Sequence, residues 1–569
     1  MTVPTDGGEV TLPSKIPFWR LVFDQKVVTE EVMQFPYLGS GTEDDPYAVI
    51  WIPADPRNPM NFGPIKKWSI TLLVSFVTLA VSLVSSAFSG GMSQIMEDFG
   101  APQEIVILGV SLFVLGFAIG PLIWAPLTGS FGSSPFGNGG GTIADMFPAS
   151  QRGIAISLFA AAPFLGPTLG PVIGGFLATA AGWRWVEGLL AAFSGALWLC
   201  IIFLLPETYA PVLLRRRAER MSALTGKLYR SQLDIDRGPA PMGKTLKTAL
   251  SRPWILLFCE PIVLLFSIYM AIIYGTLYML FAAYPIVFQE VRGWSEGVGG
   301  LAFLGILVGM VMAVIYTFPE NFRYSKKCSQ TTDRLAPELR LPPSMVGGIA
   351  LPIGLFWFAW TNSPHIHWMA SVAAGAPFGF GMVLVFLSVF NYLIDSYTIF
   401  SASVLAANSA LRSLFGMAFP LFTTYMYHNL GIHWASSIPA FLALACVPFP
   451  FIFYKYGARI RQRCTYASEA DAFMRRLAER NQAAHRHEPE PEKGEKTDPV
   501  ARISDYEDSS DNEALSTVPS RDPIARYASR ASRKSGRSLN RIATATQYEE
   551  NPYDLDLVNT RQSTISRKD

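Results

Sequence analysis

Charge is what this chain has least of: 16% of its 569 residues are Asp, Glu, Lys or Arg, where a soluble protein of this length carries about 25%. The deficit is local as well as global, because charges vanish from stretches of twenty or more residues and crowd into the gaps between them. That pattern excludes one large soluble core and points to lipid-spanning segments. Lys and Arg number 46 against 44 Asp and Glu, a net charge of +2, so nothing in the balance calls for a nucleic-acid partner. Five cysteines (Cys200, Cys259, Cys328, Cys446, Cys464) have no metal-ligand spacing, and three lie in or beside apolar segments, which speaks against a disulfide framework. His365, His367, His428 and His433 form no metal cluster. No Gly-x-x-x-x-Gly-Lys-Ser/Thr segment is present, which disfavours ATP-driven transport, and no Ser/His/Asp or zinc-protease arrangement marks an enzyme. No cofactor and no metal are expected. Met1 to Trp68 is mostly polar and Pro-rich, without the apolar core of a cleavable leader, and no repeat of 20–50 residues occurs.

Half of the residues are apolar. They collect in Trp68–Phe88, Glu104–Leu127, Gly153–Leu177, Trp185–Leu205, Pro261–Phe288, Glu296–Phe318, Met345–Trp360, His367–Asn391, Ile399–Tyr425 and His433–Tyr454. Each run is long enough to cross about 30 Å of hydrocarbon as a helix. The expected fold is therefore an all-α polytopic membrane protein with ten crossings. Lys and Arg set its sidedness. With the N-terminus inside, the inner loops hold Arg57, Lys66, Lys67, Arg152, the segment from Arg215 to Arg252, Arg323 to Arg340, and Lys455 to Arg463. The outer loops hold only Arg184 and Arg292. Both ends are then cytosolic, in the plasma or the vacuolar membrane.

The long basic segment divides the crossings into four before it and six after. Five regions follow: an N-terminal arm at 1–66, extended in part, a first transmembrane half at 67–208, a basic linker at 209–252, a second half at 253–456, and a polar tail at 457–569. Within the tail Ser468 to Ala484 reads as a short helix. The remainder, with the Ser/Arg-rich run Ser529–Ser538, reads as disordered, a solvated tail or a docking and kinase target for cytosolic partners.

Asp55-Pro-Arg-Asn-Pro-Met-Asn-Phe followed by Lys66-Lys67-Trp68 resembles the arm before the first helix in fungal drug:proton antiporters of the major facilitator superfamily, the multidrug and polyamine branch. The likeness continues through Gly166-Pro-Thr-Leu-Gly-Pro-Val-Ile-Gly-Gly175, Gly182-Trp-Arg-Trp185 and Pro206-Glu-Thr-Tyr-Ala-Pro-Val-Leu-Leu-Arg-Arg216. It resumes at Glu260-Pro261, Tyr284-Pro285, Pro337-Glu-Leu-Arg-Leu-Pro342 and Leu411-Arg-Ser-Leu-Phe-Gly416. The resemblance implies two six-helix halves that exchange small organic molecules for protons. It is broken at Leu127 to Phe131. Trp124-Ala-Pro-Leu127 is similar to the end of the family's second helix, whereas Gly129-Ser-Phe-Gly-Ser-Ser-Pro135 and Asn138-Gly-Gly-Gly-Thr-Ile-Ala-Asp145 are similar to its fourth. The third helix and the basic loop before it are missing, through a skipped exon, a mis-joined gene or a true deletion. The remnant 128–147 is then not expected to cross the membrane, and loss of transport is one expected consequence. The rival to efflux is a non-transporting membrane protein with a cytosolic docking tail.

Several residues are candidates for the work of transport. Gly166, Gly170 and Gly174 recur every fourth residue, with Pro167 and Pro171 between them and Gly175 following; small residues at this spacing let helix backbones approach closely, and prolines bend the helix. The resemblance gives this stretch a role in closing the outer side. Arg412 sits inside an apolar span, where a charge costs about 2.5–3.5 kcal/mol on insertion scales and must face the interior or a wet cavity. It lines the pathway or pairs with a polar group between helices. Glu260 precedes Pro261 at a helix start, where the dipole favours a carboxylate; the alternative is proton coupling. Tyr274 and Tyr278 share one helix face and could hold a flat or cationic substrate. Asn391 and Asp395 are four apart. Asn391 is a pathway candidate, and Asp395 with Ser396 reads as a cap for the next helix.

Overall fold

The computed structural model describes residues 16–52, 54–131, 139–147, 149–237, 242–330 and 336–486. The chain divides into a compact unit that includes 16–471 and a second unit beginning at Ala472. Apart from the helix Thr465–Arg486, which runs into the second, everything described below lies in the first. The tail beyond Arg486, with Ser529–Ser538, lies outside the described residues.

Among the described residues, eight helical stretches are long and apolar enough to cross a membrane: Pro64–Phe99, Gln103–Gly120, Ala161–Ala181, Trp183–Leu204, Pro261–Glu290, Glu296–Tyr324, Pro342–Thr361 and Trp368–Arg463. The last, 96 residues long, is interrupted by a 3-10 turn at Thr398–Phe400 and by Gly431 at φ 73°, a left-handed conformation only glycine adopts freely. Proline stands in the first turn of the helices that begin at Pro64, Pro261, Pro342 and Pro448. There its fixed φ is already helical and its missing N–H would have had no partner.

The helices that build the site are α1 (Pro64–Ala87), α2 (Gln103–Phe131), α3 (Gly139–Met146), α4 (Ala149–Ala181) and α5 (Trp183–Leu204) before the linker. After it come α6 (Met242–Cys259), α7 (Pro261–Tyr284), α8 (Phe303–Gln330), α9 (Pro342–Thr361), α10 (Gly375–Tyr397), α11 (Ser401–Cys446) and α12 (Pro448–Arg463). Packing separates them by exposure. Every residue of α7 from Tyr269 to Tyr284 is buried, so α7 lies at the centre of the bundle against α11. By contrast α5 is equally apolar and mostly exposed, with Trp185, Trp198 and Phe203 on its open face. An apolar helix left bare in this way has lipid as its natural neighbour.

At the junction, α2 continues without a break from Gln103 to Phe131, and α3 follows at Gly139. The arm and the linker carry regular structure of their own. The arm holds the helices Phe18–Phe23 and Glu30–Gln34, and its strand β1 (Tyr47–Val49) pairs in parallel with β2 of the linker (Tyr229–Ser231). The linker helix Ala210–Thr225 closes over this strand pair, burying Val49, Leu214, Ala218 and Met221 together. The helix expected at Ser468–Ala484 is present as Thr465–Arg486.

A buried ion pair ties the module. Arg217 donates to both carboxylate oxygens of Asp55, at 2.6 and 3.2 Å, and the two side chains are 3% and 1% exposed. Beside it, Arg57 donates to the carbonyls of Leu21 and Glu207. Burial lowers the Arg57 guanidinium pKa to about 10, with Glu207 acting in the opposite sense. The same burial raises the pKa of the Glu207 carboxyl, against hydrogen bonds from the backbone N–H groups of Tyr209 and Thr208.

Candidate functional site

Five helices from both sides of the linker meet around Arg412. On α7, Tyr274 and Tyr278 lie one turn apart with ring centroids 4.8 Å from each other, and the Tyr274 hydroxyl donates to that of Tyr278 at 3.3 Å. Tyr278 reaches across the bundle to the Ser85 hydroxyl of α1 at 2.9 Å. From α4, Phe164 meets Phe386 of α10 edge-on at 5.0 Å. Thus the floor of the site joins the part of the chain before the linker to the part after it.

The guanidinium of Arg412, on α11, lies over Tyr274 at 4.9 Å, Phe386 at 5.6 Å and Phe390 at 5.8 Å. Its one side-chain hydrogen bond is long, 3.4 Å to Ser409 on its own helix, and its buried Nε has no partner among the described residues. No carboxylate pairs with it among the described residues. A desolvated cation over an aromatic ring gains about 2 kcal/mol, so three rings offset the insertion cost of the charge. The aromatic cage thus holds the charge in place while leaving most of its hydrogen-bonding capacity unused. Arg412 remains half-buried, as do Leu387, Phe390, Asn391 and Ile394 on one face of α10.

The cation over the face of Tyr274 is thus the protein's own Arg412. Asn391 stands on the half-buried face of α10, and its amide turns back to the Leu387 carbonyl at 2.8 Å. Glu260 is not brought to the site. It lies 14 residues before Tyr274, about 21 Å along the helix axis. It stands at the N-cap of α7, where the dipole favours a carboxylate, without making a side-chain cap bond. Its carboxylate, in a residue 1% exposed, accepts from the Tyr397 hydroxyl and the Tyr466 backbone N–H, both at 2.9 Å. Glu260 thus joins α7, the end of α10 and the segment after α12. Asp395 accepts from Arg340 at 3.0 Å, whereas the helix starts after it carry no side-chain cap bond. Ser85, Phe164, Phe386 and Phe390 carry no sequence signal, since one Phe or Ser in an apolar run looks like any other.

At the opposite end from the basic loops, the Gly/Pro stretch of α4 is an interface. A Cβ on Gly166 would strike Ser82 and Leu83 of α1; on Gly170, Ser86 and Ala87; on Gly174, the carbonyl of Ala87. On its other side, a Cβ at Gly175 would sit 2.7 Å from the carbonyl oxygen of Glu296, and one at Gly300 would meet that of Pro171. Pro163, Pro167 and Pro171 all lie inside α4. The small residues bring backbone against backbone across the two sides of the linker.

Comparison with known proteins adds the family. The sequence profile of the Major Facilitator Superfamily matches residues 127–420. The chain is 58% identical to "Major facilitator superfamily multidrug transporter mdrA" of Aspergillus fumigatus, over 98% of this chain and 97% of the relative. It is 56% identical to "MFS-type efflux pump MFS2" of Trichophyton rubrum, over 98% of each. The first alignment runs over 599 positions, more than the 569 residues here, so part of that relative faces no residue of this chain. Among solved structures, the xylose transporter XylE from E. coli in a partially occluded inward-open conformation matches with TM-score 0.45 and 15% identity, over 68% of this chain and 99% of that one.

Proposed function

The chain belongs to the Major Facilitator Superfamily, and on that premise we propose that it is a secondary active transporter that exports small organic molecules, drugs or polyamines among them, in exchange for protons. The observation that carries this reading is the Arg412 site: a charged, aromatic-lined centre contacted from both sides of the linker, with a tightly packed Gly/Pro interface at one end of the bundle. That arrangement suits alternating access, in which two halves rock about a central site. The printed names of the relatives speak for efflux rather than for a docking protein.

In this reading the stretch Trp368–Arg463 counts as three crossings, divided at Thr398–Phe400 and Gly431, which brings the total to ten. Both termini are cytosolic, in the plasma or vacuolar membrane. The excess length of the relative's alignment supports a missing third helix. Arg412, Tyr274 and Tyr278 line the pathway, Asn391 borders it, and Glu260 holds helices together rather than carrying protons. The test is export from cells lacking their own drug pumps, using neutral, anionic and cationic fluorescent dyes. Cells with the full chain should retain no more than about half the dye of empty-vector cells, and a protonophore should abolish the difference. A chain that reaches the membrane and exports none of the three overturns the transport reading and favours the docking alternative.

A further inference from the structure

We infer that the Arg412 centre selects organic anions: monocarboxylates with an apolar or aromatic body, held by the guanidinium and flanked by Phe386 and Phe390. The inference rests on reading this centre as the transport site.

Arg412 brings a guanidinium, a fork of five N–H donors, into the bundle. Tyr274, Phe386 and Phe390 flank it, and Gly416 one turn further along α11 packs on Tyr274 and Val114. The ion pairs of the described residues lie in the arm and linker, on the outer turn and at the basic end of the bundle, and none lies here. Among the described residues Arg412 has no carboxylate beside it, and its only side-chain hydrogen bond is the long one to Ser409. Ring faces compensate a cation electrostatically, but they cannot accept its in-plane N–H bonds, and Nε is left buried without an acceptor. A carboxylate matches that fork with two parallel hydrogen bonds and also neutralises the charge. An ammonium group is opposed on both counts, since Arg412 repels it and already covers the ring of Tyr274 that would attract it.

The half-buried face Leu387, Phe390, Asn391 and Ile394 gives the ligand body its setting. Three of the four are apolar, so a single anionic head on a hydrophobic body fits better than a sugar or a polyanion. Asn391 commits one of its two amide N–H donors to Leu387; it is neutral, and Arg412 alone sets the sign of the ligand.

Equilibrium binding of radiolabelled 2-naphthoate to the purified full chain in detergent tests this, with 2-naphthamide and 2-naphthylmethylammonium as competitors. Saturable binding that the amide and the ammonium displace at least ~10-fold less well than naphthoate is expected, with Arg412→Gln weakening naphthoate at least ~10-fold and Arg412→Lys weakening it less. Absence of saturable naphthoate binding, equal competition by the ammonium compound, or unchanged binding by Arg412→Gln overturns the inference. Should Arg412→Gln not purify as a folded protein, the competition on the unmodified chain and the Arg412→Lys comparison decide. The two readings fail separately: a chain that binds naphthoate but exports no dye loses the transport function alone. One that exports dyes under proton control yet binds no naphthoate loses the anion selectivity alone.

Discussion

Tyr278 touches both sides of the site, accepting from Tyr274 on its own helix and meeting Ser85 on α1. Removing its hydroxyl tests how much that bridge contributes. Ser85 also donates to the Ser82 carbonyl at 2.6 Å, so Tyr278→Phe leaves it with a partner. The expected loss is about 0.6 kcal/mol, the typical value for an interhelical hydrogen bond in a membrane protein. Thermal denaturation in detergent would register it as a small fall in midpoint; a loss of several kcal/mol would mean that the bridge organises more than its own bond. Tyr274→Phe, which keeps the ring over which Arg412 lies, should leave the cage intact. The spacing of the two tyrosines was legible in the sequence, and so was the anomaly of Arg412. What the spacing could not reveal is that the cation facing Tyr274 belongs to the protein.

At the level of the helix, α4 is the element whose sequence pattern and packing agree most closely. Its glycines fall on two faces because positions four apart stack along one side of a helix while Gly175 turns to the next. One face meets α1 and the other meets the segment Glu296–Gly300. Gly175→Ala adds a methyl group 2.7 Å from the Glu296 carbonyl oxygen, and overpacking of this kind costs about 1–3 kcal/mol. The two sides should then separate at that end. In liposomes the variant should have a faster passive proton leak than the unmodified chain, measured with a trapped pH dye; an unchanged leak would remove α4 from the role of outer seal. Helix α2 runs on across the Gly/Ser-rich junction after Leu127 to Phe131, because helix formation is cooperative once started.

Across the whole molecule, the arm and the linker form one module, joined by the β1–β2 pair and by Asp55 with Arg217. Removing one member of a buried pair strands the other charge, at a cost of about 3–5 kcal/mol. Asp55→Asn should therefore release the arm, and limited proteolysis between residues 16 and 62 should become at least several-fold faster while the bundle remains folded. Equal cleavage rates would show that the strand pairing and the cluster around Val49 and Met221 hold the module unaided. A second network does the same work after the last crossing, where Arg461 binds both oxygens of Glu338 and also Asp471.

The sequence by itself determined that the chain is a polytopic helical membrane protein and which family it resembles. Those properties follow from runs of apolar residues and from motifs local to a single segment, and both survive reading in one dimension. Tertiary structure alone decided that Arg412 has rings and no carboxylate beside it, that Glu260 staples helix ends about 21 Å from the site, and that Asp55 and Arg217 are partners across 162 positions. Each of these is a meeting of side chains from distant segments. Whether a charge is paired, caged or bare depends on what the other helices bring to it, and no spacing along the chain records that.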